Sequence, residues 1–125
     1  MKILPEIVQT AWSNREGPIV LSTVNASGIP NAIYASCVQL YDASHLIVAD
    51  NYFSKTRSNL LETAKGSVLF LTKEGKSFQI KGHIEYHKEG PFYTNMKEWN
   101  PAKHPGHAAA VLCVEEAYSG SEKLL

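Results

Sequence analysis

The segment Asn51-Tyr52-Phe53-Ser54-Lys55-Thr56-Arg57-Ser58-Asn59-Leu60 carries the clearest chemical pattern in the chain. Its spacing predicts a helix over residues 54–65, with Ser54 as N-cap, an apolar stripe of Leu60, Leu61 and Ala64, and Gly66 at its end. The first turn of a helix presents unpaired N–H groups and partial positive charge, so it favours Asp or Glu. Here it holds Lys55 and Arg57 and no acid. That arrangement costs ~0.3–1 kcal/mol per charge unless an anion sits there. Free N–H groups, a helix dipole, the hydroxyls of Ser54, Thr56 and Ser58, and two cations make a set that binds phosphate. The alternative is a solvated basic turn with an ordinary serine cap.

The histidines suggest no metal ligand set. His83, Glu85 and His87 share one face of a strand. At ~3.3 Å per residue, His83 and His87 then stand about 13 Å apart, too far for one ion. His104 and His107 flank a Pro-Gly turn with no third ligand nearby in sequence. Cys37 and Cys113 lie in apolar stretches and read as small buried hydrophobes. No G-x-G-x-x-G, G-x-x-x-x-G-K-[ST] or G-x-S-x-G motif occurs, so Rossmann, P-loop and α/β-hydrolase chemistry have no support. No general base or nucleophile stands out.

These residues must be positioned by a chain of 125 residues, enough for one domain with its own core. Lys+Arg and Asp+Glu each number 12, and the zero net charge argues against a protein that coats nucleic acid or an anionic membrane. No apolar run has the length of a membrane span or a signal peptide, so the expected location is the cytoplasm.

Apolar spacing predicts a first helix over residues 4–14. Strands are expected at 19–24, 31–41, 45–49, 67–72, 77–87 and from 108 to 114 or beyond, and a short helix from 91 to 99. Tight turns such as Asn25-Ala26-Ser27-Gly28-Ile29-Pro30 imply antiparallel pairing. Six antiparallel strands favour a small barrel over an open sheet. Val68-Leu69-Phe70-Leu71 is apolar on both faces, so its outer face should be covered by a helix or a second subunit.

In order and spacing the sequence resembles the FMN-binding split-barrel family, also called pyridoxamine 5′-phosphate oxidase-like. The resemblance runs from about Glu16 to Gly120. It rests on Gly17-Pro18 and the strand after it, and on Asn25-x-x-Gly28-x-Pro30. It continues in Leu46-Ile47-Val48-Ala49-Asp50-Asn51-Tyr52-x-Ser54-Lys55-Thr56-x-x-x-Leu60, Lys81-Gly82-His83-Ile84-Glu85 and Val111-Leu112-Cys113-Val114-Glu115.

The resemblance implies a mainly β, six-stranded antiparallel Greek-key split barrel with two or three short helices. It would be one domain over residues 1–125, forming a homodimer with FMN in each of two interface clefts. Carried over by position, Ser54, Lys55 and Thr56 would hold the FMN phosphate, with Asp50 and Asn51 just upstream. Tyr34, Ala35 and Ser36 would run along the ring and ribityl chain, and the backbone of Val48 and Ala49 would lie beside the ring. Gln79 would contact FMN from its strand. Trp99 of the partner subunit would close the site, with Tyr118 behind it.

The implied function is redox chemistry or electron transfer with an unidentified donor or acceptor, and without nucleic acid or membrane. The same fold could instead serve deazaflavin F420, haem ligated by His104 or His107, or a cofactor-free dimeric interaction module. Pyridoxamine-phosphate oxidation itself is not implied. The chain has no arginine after Arg57, and Thr56 stands where the phosphate motif usually has a second basic residue.

Overall fold

In the computed structural model, which describes residues 2–125, the chain is mainly antiparallel β with three helices. Helix α1 (Glu6–Ser13) follows Pro5 and buries Val8, Ala11 and Trp12. The strands are β1 (Arg15–Val24), β2 (Pro30–Ala35), β3 (Val38–Asp42), β4 (His45–Asp50), β5 (Lys65–Thr72), β6 (Ser77–His87), β7 (Ala108–Ser119) and β8 (Glu122–Lys123). Helix α2 (Lys55–Thr63) joins β4 to β5, and α3 (Pro91–Trp99) joins β6 to β7.

The expectation of six strands is corrected to eight. The stretch expected as one strand over 31–41 breaks at Ser36 and Cys37, where Val38 N–H donates to Ser36 O (3.1 Å) and Ala49 N–H to Cys37 O (3.0 Å). Those local bonds re-aim the chain, so β2 pairs with β1 and β3 pairs with β4. The other addition is β8, which pairs with the end of β7. The sheet is not closed into a continuous barrel. Its order is β2-β1-β5-β6-β7-β4-β3, which leaves β2 and β3 at opposite edges although only residues 36–37 separate them.

Two further expectations change in detail. Gly17-Pro18 does not precede the first strand but lies within β1, at a register shift between Glu16 and Val20. Gly66 does not close α2: Ala64 does, in the left-handed conformation (φ 57°). Gly66 sits in β5, where a Cβ would approach Ile84 Cδ1 to 2.5 Å and Ser22 O to 2.9 Å. Close packing of two neighbours, rather than a helix cap, requires glycine there.

The alternation of β1, β5 and β6 sends Ile19, Leu21, Val68, Phe70, Phe78 and Ile80 into the main core. Trp12 of α1 meets Phe70 edge-on at 5.2 Å, and Phe70 stacks on Phe78 at 5.7 Å. Strand β4 is buried along most of its length because α3 covers its other face. A second cluster there packs Met96 against Ile47, Ala49, Ala109 and Val111. On β5 the outward residues Leu69 and Leu71 stay 41% and 52% exposed, so among the described residues no helix covers that face. Among the described residues no helix is long and apolar enough to cross a membrane.

Candidate cofactor site

The site begins where β4 leaves the sheet. Asp50, fully buried, accepts the Phe53 backbone N–H at 3.0 Å and fixes the turn into α2. Arg57 folds back from α2 onto the same carboxylate, with Nε 2.7 Å from Oδ2 and a terminal nitrogen 3.1 Å from Oδ1. The Tyr86 hydroxyl of β6 donates to Asp50 Oδ2 as well. These hydrogen bonds raise the Arg57 guanidinium above its ordinary value. Burial, then the bond to Asp50, pushes the Tyr86 phenol up to about 12.

This network corrects one part of the phosphate argument. Arg57 is not an unanswered cation in the first turn, because Asp50 neutralises it from the preceding strand. Asp50 is correspondingly an anchor of the loop, with both carboxylate oxygens already engaged. Lys55 is exposed at the helix start, where no acidic residue stands in the first turn. Ser54 occupies the N-cap position, is exposed, and makes no side-chain capping bond. Thr56 points inward at 1% exposure and accepts from Asn31 Nδ2 at 3.2 Å, tying α2 to the start of β2.

Asn51 also anchors. Its amide exchanges two hydrogen bonds with Asn100 (3.0 and 2.9 Å), and its Oδ1 accepts the Gly106 N–H at 3.0 Å. The loop after α3 is thereby fastened over the end of β4, where His107 N–H also donates to Asp50 O at 2.8 Å.

A cleft of about 300 Å³ opens beside this turn, lined among others by Tyr34, Ala35, Ser36, Ala49, Asn51 and Phe53. Five residues expected to contact a cofactor therefore converge on one wall: Tyr34, Ala35, Ser36, Ala49 and Asn51. Val48 turns its side chain into the main core, which leaves only its backbone toward this side. A second cleft of about 430 Å³ adjoins through Ser36, Cys37 and His104 and contains Trp99. Gln79 is not brought to either cleft. It lies on β6 in register with Leu69 and Tyr118, beside a separate groove of about 260 Å³.

Cys37 and Tyr52, which the sequence reading did not place at a cofactor, also line the first cleft, together with His104, named there only as an alternative haem ligand. The Tyr52 hydroxyl sits 3.1 Å from His104 Nδ1. No local signal marks them, because they come together only when the loop over 100–107 folds onto β4.

A family model for pyridoxamine 5′-phosphate oxidase matches residues 6–120, and the chain belongs to that family. The chain is 29% identical over 125 residues to the uncharacterized protein MJ0282 of Methanocaldococcus jannaschii, covering 95% of this chain and 81% of that one. In structure it is similar to HupZ of Group A Streptococcus, with a TM-score of 0.83, 22% identity, and 97% of each chain covered. An FMN-binding protein from Syntrophomonas wolfei superposes with a TM-score of 0.80 at 22% identity, covering 93% of this chain and 87% of that one. Proteins sharing the fold also include an F420 reductase and haem-binding proteins. At such identities these likenesses establish the fold, and the cofactor must be argued from the residues.

Proposed function

We propose that the chain is a homodimeric FMN-binding flavoprotein that serves as an oxidoreductase or electron carrier in the cytoplasm. One observation carries the reading. The acid-free N-terminal turn of α2, with Lys55 exposed and Ser54 making no capping bond, follows directly from a cleft wall of Tyr34, Ala35, Ser36 and Ala49. A dianionic phosphate answers the helix dipole and Lys55 together, and a largely apolar cleft suits a flat heteroaromatic ring. Ser54 and Lys55 would hold the phosphate, and Thr56 would steady the turn. Asp50 and Asn51 would keep the loop in shape, while Tyr34 to Ser36 and the backbone of Val48 and Ala49 would orient the ring. The flavin supplies hydride and electron transfer when bound; the protein supplies position and electrostatics.

Dimerisation is supported by the uncovered apolar residues Leu69 and Leu71 on the outer face of β5. Gln79 and Tyr118, in register with Leu69, stand on the same face. Gln79 would reach a flavin only across such an interface, and Trp99 would close the cleft of the partner. The FMN phosphate is tested by comparing FMN with riboflavin in a fluorescence titration. FMN should bind at least tenfold tighter, and Lys55→Ala should narrow the difference. Equal binding of the two would remove the phosphate assignment.

One observation favours a second reading. His104 lies at the junction of both clefts, where an imidazole can ligate haem iron. A Soret band on addition of haemin, lost in His104→Ala, would support it over the flavin. Retention of F420 in place of FMN would mark a deazaflavin protein. A cofactor-free interaction module would gain no thermal stability from FMN, F420 or haemin.

A further inference from the structure

A second constellation lies on the outer face of β6 and β7, apart from the clefts described above. The β6–β7 register sets His83 directly opposite Cys113, and the period of two places Glu85 on the same face. One ring nitrogen of His83, one Glu85 carboxylate oxygen and Cys113 Sγ all lie within 4.8 Å of one another. The expectation of no metal set rests on spacing along one strand. The neighbouring strand supplies the donor that such spacing does not reveal.

The hydrogen bonds around these side chains orient them inward. His83 Nδ1 is 2.8 Å from Glu115 Oε2, so a carboxylate holds that nitrogen. His83 Nε2 then faces Glu85 Oε2 at 3.7 Å, too long for a hydrogen bond. It is close to the roughly 3.3–3.8 Å that separates two ligand atoms on a tetrahedral zinc ion. Glu85 is fixed in turn by His87, whose Nε2 lies 2.9 Å from Oε1. Each of these two prospective ligands thus has its outer atom held by a neighbour and its inner atom free. Carboxylate-held histidines of this kind are the usual supports of protein metal sites. Cys113 Sγ lies 3.9 Å from Val111 O and beside the Glu85 carboxylate.

We propose that His83 Nε2, Glu85 and Cys113 bind a divalent cation of the zinc class, with Glu115 and His87 as positioning residues. A mixed nitrogen, sulfur and oxygen set selects zinc or cobalt over magnesium or calcium. Binding exchanges the Cys113 thiol proton for the metal. Three protein ligands leave the fourth position to water from the surrounding cleft of about 360 Å³, whose walls include Ser44 and His45. His45 itself is held by Asp42 at 2.8 Å and does not join the set.

Cobalt(II) titration of the untagged full-length protein, followed by zinc displacement, tests this. One cobalt per chain should bind with a sulfur-to-cobalt charge-transfer band in the near ultraviolet, and one equivalent of zinc should abolish the band. Cys113→Ser should lose the band. Glu85→Gln, at an exposed position, should weaken binding at least tenfold while leaving circular dichroism and flavin binding unchanged. A wild-type protein without the band, or a band that persists in Cys113→Ser, would overturn the proposal, as would a Glu85→Gln variant with wild-type affinity.

Discussion

Arg57 reaches back seven residues to set its Nε 2.7 Å from Oδ2 of the fully buried Asp50. The pair decides how the basic stretch after β4 is divided. Arg57 serves the fold, and Lys55 stays exposed at the start of α2 with no acidic residue in the first turn. Removing one member of a largely buried pair leaves the other uncompensated, at a cost of about 3–5 kcal/mol. Arg57→Met should fall near the lower figure, because the Arg57 side chain is 36% exposed. Asp50→Asn should cost less, since Arg57 can turn to water. Urea unfolding measures both; equal losses below about 1 kcal/mol would show that the pair does not organise the loop.

Lys55→Ala should behave in the opposite way. It should leave the unfolding midpoint nearly unchanged and weaken FMN binding by about 1.5–3 kcal/mol, the range for a charge-assisted hydrogen bond. That is roughly ten- to hundredfold in the dissociation constant. A flavin titration of wild type and variant gives the comparison, and unchanged affinity contradicts the assignment.

The Tyr86 phenol is held up to about 12 by burial and by Asp50, against about 10 in an unfolded chain. The folded state therefore keeps this proton to higher pH than the unfolded state. Its stabilising contribution is complete below pH 10 and is lost as pH rises through 12. Urea midpoints between pH 8 and 12 should decline for wild type and decline less steeply for Tyr86→Phe. Parallel slopes would exclude Tyr86 as a source of the decline.

Gly82 tolerates no side chain, because a Cβ there would stand 2.0 Å from Cys113 O. The β6–β7 register shifts at this point, between Lys81 and Gly82. Gly82→Ala should destabilise by about 3 kcal/mol or more, since backbone rather than a movable side chain blocks the space. A thermal melt at the wild-type temperature would contradict the close approach.

Leu69→Asp with Leu71→Asp tests the proposed dimer. Both positions face outward on β5, so the charges should not disturb the monomer's core. Sedimentation should give a dimer for wild type and a monomer for the double variant, with flavin affinity falling alongside. A variant that remains dimeric moves the interface elsewhere.

Much of this architecture is legible in the sequence because it is written in periods. The alternation around Val68 and Phe70 and the glycine-bearing turn before β2 mark the strands and their antiparallel sense. What escapes is non-local. The break at Ser36 and Cys37 depends on the Cys37 carbonyl meeting Ala49 N–H, a contact between strands. The candidate phosphate turn is visible in Ser54 and Lys55, but Arg57 looks equally free until Asp50 is placed beside it. Cys113 reads as a lone apolar cysteine because its partner His83 sits on another strand.

The flavin assignment is tested most directly by the visible spectrum of the purified protein, before and after addition of FMN and removal of the excess. Bands near roughly 375 and 450 nm should stay with the protein at one flavin per chain. A colourless protein that retains no FMN would contradict the account.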